Sequence, residues 1–162
     1  YSSVKSVNSK VLFGISPEGS IKRDYDVHFA DVKRWCSEAG YIDYICPQIY
    51  YGLEHGTLPF ERTAKEWNDL IKLNNIELVI GMTLGKAKTG YDPYASTEVG
   101  KYEWSNNKNI IKRCMEYSKS LSNIKGISVF SYQYLYGPVS GTKLAATKEE
   151  VDNFVPTLST WK

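Results

Sequence analysis

The chain has 162 residues, 42% of them hydrophobic, and 20 Lys plus Arg against 18 Asp plus Glu leave a formal charge of +2. That length supports one substantial core, so residues 1–162 read as a single soluble domain. The charges are interspersed, which leaves no footprint for nucleic acid or an anionic membrane, and no apolar run nears the roughly 18 residues of a membrane span.

Val4 and Val7 lie three apart ahead of Asn8-Ser9-Lys10, the pattern of a helix's last turns, so the chain reads as starting part-way through a βα repeat. The polar start Tyr1-Ser2-Ser3-Val4-Lys5 has no signal-peptide character. A strand over 11–16 and a loop over 17–25 come next. The spacing of Phe29, Val32, Trp35 and Cys36 predicts a helix over 27–38, with Asp26 as N-cap and Gly40 as its stop. A second strand begins at Ile42-Asp43-Tyr44-Ile45-Cys46.

Beyond the loop 52–59, Ala64, Trp67, Leu70 and Ile71 form the stripe of a helix over 60–73, broken by Asn74-Asn75. A third strand, 76–82, opens into a long irregular stretch over 85–105, rich in Gly, Thr, Tyr and Asp. Loops of that length are usually functional or mobile. A helix over 107–121 turns Ile110, Ile111, Cys114 and Tyr117 inward, and a fourth strand covers 127–132. The last helix starts at Thr147, where Thr147 and Glu150 have capping-box spacing.

Four segments, 11–19, 42–52, 77–85 and 126–137, thus share one plan: an apolar run, a polar or aromatic tip, then a helical stretch. Strands alternating with helices imply a parallel sheet, with ligands at the carboxyl ends of its strands. The fold class is therefore α/β, in four parallel βα units equivalent to half of an eightfold barrel. Chemistry is expected at the four tips: Pro17-Glu18, Gln48-Ile49-Tyr50, 83–86 and Ser131-Tyr132-Gln133.

The strings Phe13-Gly14-Ile15-Ser16-Pro17, Ala30-Asp31-Val32-Lys33-Arg34-Trp35, Tyr41-Ile42-Asp43-Tyr44-Ile45-Cys46-Pro47-Gln48-Ile49-Tyr50 and Phe130-Ser131-Tyr132 make the sequence more specific. In that order they resemble the glycosyl hydrolase-like 10 family. The resemblance implies a (β/α)8 barrel acting on glycans such as bacterial cell-wall or surface polysaccharide, with this chain as its carboxyl-terminal half, strands five to eight. Position by position, Pro17 and Glu18 would end strand five, Gln48 and Tyr50 strand six, Lys86 strand seven, and Ser131 with Tyr132 strand eight. The family position matching Glu18 is often aromatic or amide. The resemblance further implies a fragment inactive by itself, a secreted or cell-envelope setting, a glycan substrate and no cofactor.

Glycoside hydrolysis usually needs two carboxyl groups about the scissile bond. Glu18 alone sits directly at a predicted strand end; it reads as a general acid with a raised pKa, or as a solvated loop glutamate. Glu54 and Asp92 are weaker loop candidates. Gln48 lies inside an apolar run, where its amide must find partners, either sugar hydroxyls or a neighbouring strand. Tyr50, Tyr51, Tyr132, Tyr134 and Tyr136 offer aromatic faces with wet hydroxyls, for sugar stacking or for packing at the barrel mouth. Lys86 and Gln133 complete the substrate-binding set as hydroxyl-positioning groups, against solvated alternatives.

Trp104 reads either as a sugar platform or as a loop anchor. The only histidines, His28 in the opening turn of a helix and His55 in a Glu-His-Gly loop, fall short of the several converging groups that metal ligation needs, so no metal site is expected, and Cys36, Cys46 and Cys114 read as core residues. Ser131 has no G-x-S-x-G elbow and no strand is followed by a phosphate-binding glycine motif. Half a barrel leaves two unpaired sheet edges, which predicts either a homodimer or a flatter, doubly wound closure. The alternative function is a glycan-binding module without catalysis.

Overall fold

Two prolines shape the sheet. In the computed structural model, which describes residues 1–136 and 145–161, regular pairing in the first two strands covers only β1 (Gly14–Ile15) and β2 (Tyr44–Ile45). Pro17 and Pro47 carry no N–H, so the ladder beyond them is intermittent. It continues as single bonds, from the Cys46 N–H to the Ile15 carbonyl at 2.8 Å, from Gln48 N–H to Pro17 carbonyl at 2.9 Å and from Gly81 N–H to Pro47 carbonyl at 3.0 Å. β3 (Glu77–Thr83) and β4 (Ile124–Phe130) are full-length. The four strands form one all-parallel sheet in the order β1-β2-β3-β4. All four tips therefore point the same way, although Gly137, the last residue of the fourth tip segment, lies outside the described residues.

The sheet is curved. β2 and β4 are separated by β3, which in a flat sheet would hold them roughly 9.5 Å apart. Yet the Tyr50 and Phe130 rings, just past the ends of these two strands, stack at 6.0 Å between centroids. Rings from the first and third of three neighbouring strands meet over the middle one as they do on a concave face, in keeping with part of a larger barrel. Gly81 sits at the floor of this face because an added Cβ would lie 2.7 Å from the Pro47 carbonyl oxygen.

The opposite face carries the core. Leu78, Ile80 and Met82 alternate along β3 and are buried beside Phe60, Ala64 and Trp67 of α4 (Phe60–Leu70) and Ile110, Ile111, Cys114 and Met115 of α7 (Ile110–Ser118). At the amino ends of the strands, α1 (Ser2–Val7) is fastened through Asp43. The Asp43 carboxylate takes the Phe13 N–H and the Lys5 ammonium, each at 2.7 Å, and the Tyr1 hydroxyl at 3.1 Å. The Lys5 bond above all holds its pKa below the ordinary carboxylate value. Asp43 belongs to the long Tyr-Ile-Asp-Tyr string, but it is a clamp at the far end from the tips.

Several expected elements differ. The predicted helix 27–38 resolves into α2 (Ile21–Asp26) and α3 (Val32–Ser37), capped by Ser20 and Asp31. Asp26 ends the first of these rather than capping the second, and Phe29, at φ 53° and 89% exposed, is a surface residue of the turn between them. Helix 60–73 stops at Leu70, and helix 107–121 narrows to Ile110–Ser118. The irregular stretch 85–105 contains α5 (Gly85–Thr89) and α6 (Glu98–Asn106). Beyond β4 the chain turns into α8 (Tyr132–Tyr136), and α9 (Lys148–Leu158) packs on α7. The Thr147–Glu150 capping box does not form. Thr147 donates its hydroxyl to the Tyr134 carbonyl at 2.5 Å, and Glu150 reaches across to the Ile111 N–H at 2.5 Å.

Candidate active site

Glu18 and Gln48 come together directly at the carboxyl ends of the first two strands. Parallel bridges join Glu18 to Gln48 and Gln48 to Gly81. The Gln48 amide donates to the Ser16 carbonyl at 3.3 Å, which is the neighbouring-strand partner its position called for. Tyr50, two residues on, lies on the same side and stacks with Phe130. Phe130 enters the sequence reading only within the Phe130-Ser131-Tyr132 string and not as a site residue, and its half-exposed ring becomes conspicuous only once β4 lies beside β3.

Glu18 is not poised as a protonated acid. Its carboxylate accepts from Arg23 Nε at 2.9 Å and faces His28 Nε2 at 3.2 Å. The Arg23 hydrogen bond is the main cause that holds its pKa below the ordinary value, against a smaller opposing effect of burial. The expectation of a raised pKa is thus reversed: Glu18 is an ionised carboxylate near neutral pH. Both partners are carried to it by α2 and the turn after it, elements absent from the sequence-based assignment.

A second carboxyl group lies beside it. Asp24 is only 2% exposed, accepts the Glu18 backbone N–H at 3.1 Å, and is pushed up to about 6 by burial. Adjacent carboxyl groups with pKa values driven in opposite directions are the usual basis of an acid–base division of labour. Asp24 lies behind the Glu18 backbone rather than in the open mouth, which suits holding that segment in place. Its spacing of six residues from Glu18 carried no signal in the sequence, because the helix that folds it back was unrecognised.

Lys86 is neither solvated nor at an open strand tip. Its ammonium pairs with Asp92 at 2.5 Å and lies 5.5 Å from the Tyr51 ring centre, and burial lowers its pKa despite the carboxylate. Asp92, 1% exposed, also takes the Tyr94 N–H at 3.1 Å and lies 4.0 Å from His55 Nε2. His55 Nδ1 accepts the Leu58 N–H at 3.2 Å, so the neutral ring carries its proton on Nε2, and burial lowers its pKa. Burial also pushes the Tyr51 hydroxyl up to about 12. This cluster ties the loops after β2 and β3 together beneath the mouth.

Glu103 makes a second tie. Fully buried on α6, it accepts the Leu53 and Glu54 N–H groups, each at 3.0 Å, and burial raises its pKa. Trp104 beside it is 2% exposed, which makes it an anchor rather than a sugar platform. Tyr132 and Gln133 sit on α8, exposed, with the Tyr132 ring 5.1 Å from Tyr136 rather than against Gln48. Among the described residues, no three His, Cys, Asp or Glu side chains converge as a metal-ligand set. No helix among the described residues is long and apolar enough to cross a membrane.

The model of the glycosyl hydrolase-like 10 family matches residues 1–95, more than half of the chain. The chain belongs to that family. Curated relatives include glycosyl hydrolase DigH of Escherichia coli (strain K12), 29% identical over 153 residues, covering 83% of this chain and 33% of that protein. Glycosyl hydrolase YngK of Bacillus subtilis (strain 168) is 28% identical over 147 residues, covering 82% of this chain and 27% of its own length. The chain thus spans a third or less of the relatives it matches. A glycosyl hydrolase-like α/β chain with four parallel βα units, part of a larger barrel, accounts for the family match, the coverage and the concave sheet together. The family match includes Glu18, Gln48, Tyr50 and Lys86, and Tyr132 and Gln133 lie beyond it.

Proposed function

We propose that this chain supplies part of the site at which a larger barrel hydrolyses O-glycosidic bonds in bacterial cell-wall or surface polysaccharide. The observation that carries the reading is the convergence of an ionised carboxylate, an amide and stacked aromatic rings on one concave mouth. Glu18, ionised and oriented by Arg23 and His28, acts as the nucleophile, base or polarising carboxylate of a two-carboxyl mechanism. Gln48 positions a sugar hydroxyl, and Tyr50 with Phe130 offers a face to the C–H surface of a pyranose ring. Lys86, paired with Asp92 beneath the mouth, serves substrate binding by holding the loops that form it, and Tyr132 and Gln133, exposed on α8, are outlying substrate-binding groups.

Residues 1–162 fold as one half-barrel unit, inactive alone because the second carboxyl group would come from the rest of the barrel. The edges of β1 and β4 pair with that remainder, or with a second copy when the chain is isolated. A non-catalytic glycan-binding module is the second reading, favoured by the engagement of Glu18 with Arg23 and His28. Glu18→Gln in the complete barrel separates the two. Turnover of cell-wall glycan is expected to collapse while oligosaccharide affinity survives; undiminished turnover would remove Glu18 from the mechanism and leave the binding module.

A further inference from the structure

The stretch after β3, read from sequence as irregular, presents tyrosines on a stiff frame. Tyr91 and Tyr94 are 39% and 79% exposed, and they flank Asp92, which is 1% exposed. Asp92 is held by the Lys86 ammonium, by the Tyr94 N–H and through its own N–H to the Lys101 carbonyl at 2.9 Å. Gly90, left-handed at φ 71°, ends α5 and turns the chain outward just before Tyr91. Tyr102 of α6, 49% exposed, brings its ring to 5.3 Å from that of Tyr91 at a tilt of 54°. Large aromatic rings left in water, yet fixed by a buried ion pair below them, bind at low ordering cost.

A second set of rings starts in the mouth and is joined to this pair through Lys88 and Thr89. Tyr50 stacks on Phe130, Phe130 meets Tyr134 edge-on at 6.3 Å, and the Lys88 ammonium lies 5.5 Å from the Tyr134 ring centre. Lys88 is followed by Thr89, whose hydroxyl donates to the Tyr91 carbonyl at 3.1 Å, and so to the Tyr91–Tyr102 pair. The ring-to-ring steps within the mouth, 6.0 and 6.3 Å, and within the distal pair, 5.3 Å, are comparable to the length of one sugar unit. The series is mostly tyrosine, whose rings pair an apolar face with a hydroxyl, the combination that suits a sugar ring better than an aliphatic side chain.

We propose that Tyr91 and Tyr102 form a distal sugar-binding subsite, reached from the mouth past Tyr134 and Lys88, that grips a polysaccharide strand several units from Glu18. The proposal rests on the glycan reading above and adds to it that the substrate is a polymer held along its length rather than by one end. Chain length then controls affinity, because only a long strand reaches both the mouth and the distal pair.

The test is calorimetric titration of the complete barrel protein that contains this chain with bacterial cell-wall glycan strands fractionated to two sugars and to eight or more. Long strands are expected to bind at least about tenfold more tightly than short ones. The Y91A/Y102A variant should bring that ratio close to one, with an unchanged far-UV spectrum, and Y91F/Y102F should keep it because the ring faces remain. Equal affinity for both lengths in the unaltered protein would overturn the distal subsite while leaving the glycan reading intact. So would a ratio that survives Y91A/Y102A. Binding of neither fraction would overturn both.

Discussion

Replacing Glu150 with Gln tests whether a buried charge costs this fold stability at neutral pH. Glu150 is 2% exposed on α9, and one oxygen accepts the Ile111 N–H at 2.5 Å, capping α7, whose own N-cap residue Asn109 makes no side-chain capping bond. Among the described residues the other oxygen has no hydrogen-bond partner, and burial pushes the group from 4.5 up to about 7. The folded state therefore holds this proton more tightly than the unfolded chain. That contribution is complete below pH 4.5, is lost as pH rises toward 7, and stays lost above it. At 1.36 kcal/mol per pH unit the full loss is roughly 3 kcal/mol. An amide keeps the acceptor for Ile111 and carries no charge at any pH. Allowing for the weaker neutral hydrogen bond, Glu150→Gln should stabilise the protein by about 1–2 kcal/mol at pH 8 and by about zero at pH 4.5. Urea unfolding followed by far-UV circular dichroism at both pH values reads this directly, provided the slope m is shared. A variant that is less stable at pH 8, or offset equally at both pH values, would refute the argument.

Gly52→Ala should cost about 2–4 kcal/mol, because its Cβ would lie 2.0 Å from the Glu103 carboxylate that holds the Leu53 and Glu54 N–H groups; a thermal midpoint equal to the parent's would show that the tie is loose. Lys86→Met leaves the Asp92 carboxylate buried without its cation and should cost about 3–5 kcal/mol, whereas K86M/D92L should recover part of that. A double variant no better than the single one in the same urea titration would place the energy elsewhere.

The alternation of apolar runs with helical stripes was enough to determine an all-parallel α/β chain whose tips gather at one end, since a period of two followed by a period near 3.6 admits few other packings. It also made Glu18, Gln48 and Tyr50 candidates, since each follows an apolar run directly. The long string around Asp43 pointed to the family, although Asp43 itself turned out to clamp the opposite end. Short helices were illegible: α2, α5 and α6 run six, five and nine residues, and their residues are specified by caps and by contacts from other loops rather than by a repeating stripe. Those helices are what bring Arg23 and His28 to Glu18, Lys86 to Asp92, and Tyr91 to Tyr102. The sequence by itself thus determined the direction of the sheet and the class of residue at its tips, because both follow from local periodicity. Charge states and ring partners were decided only in three dimensions, because a carboxylate's proton affinity depends on the cation and the water around it, and neither is set by its neighbours along the chain.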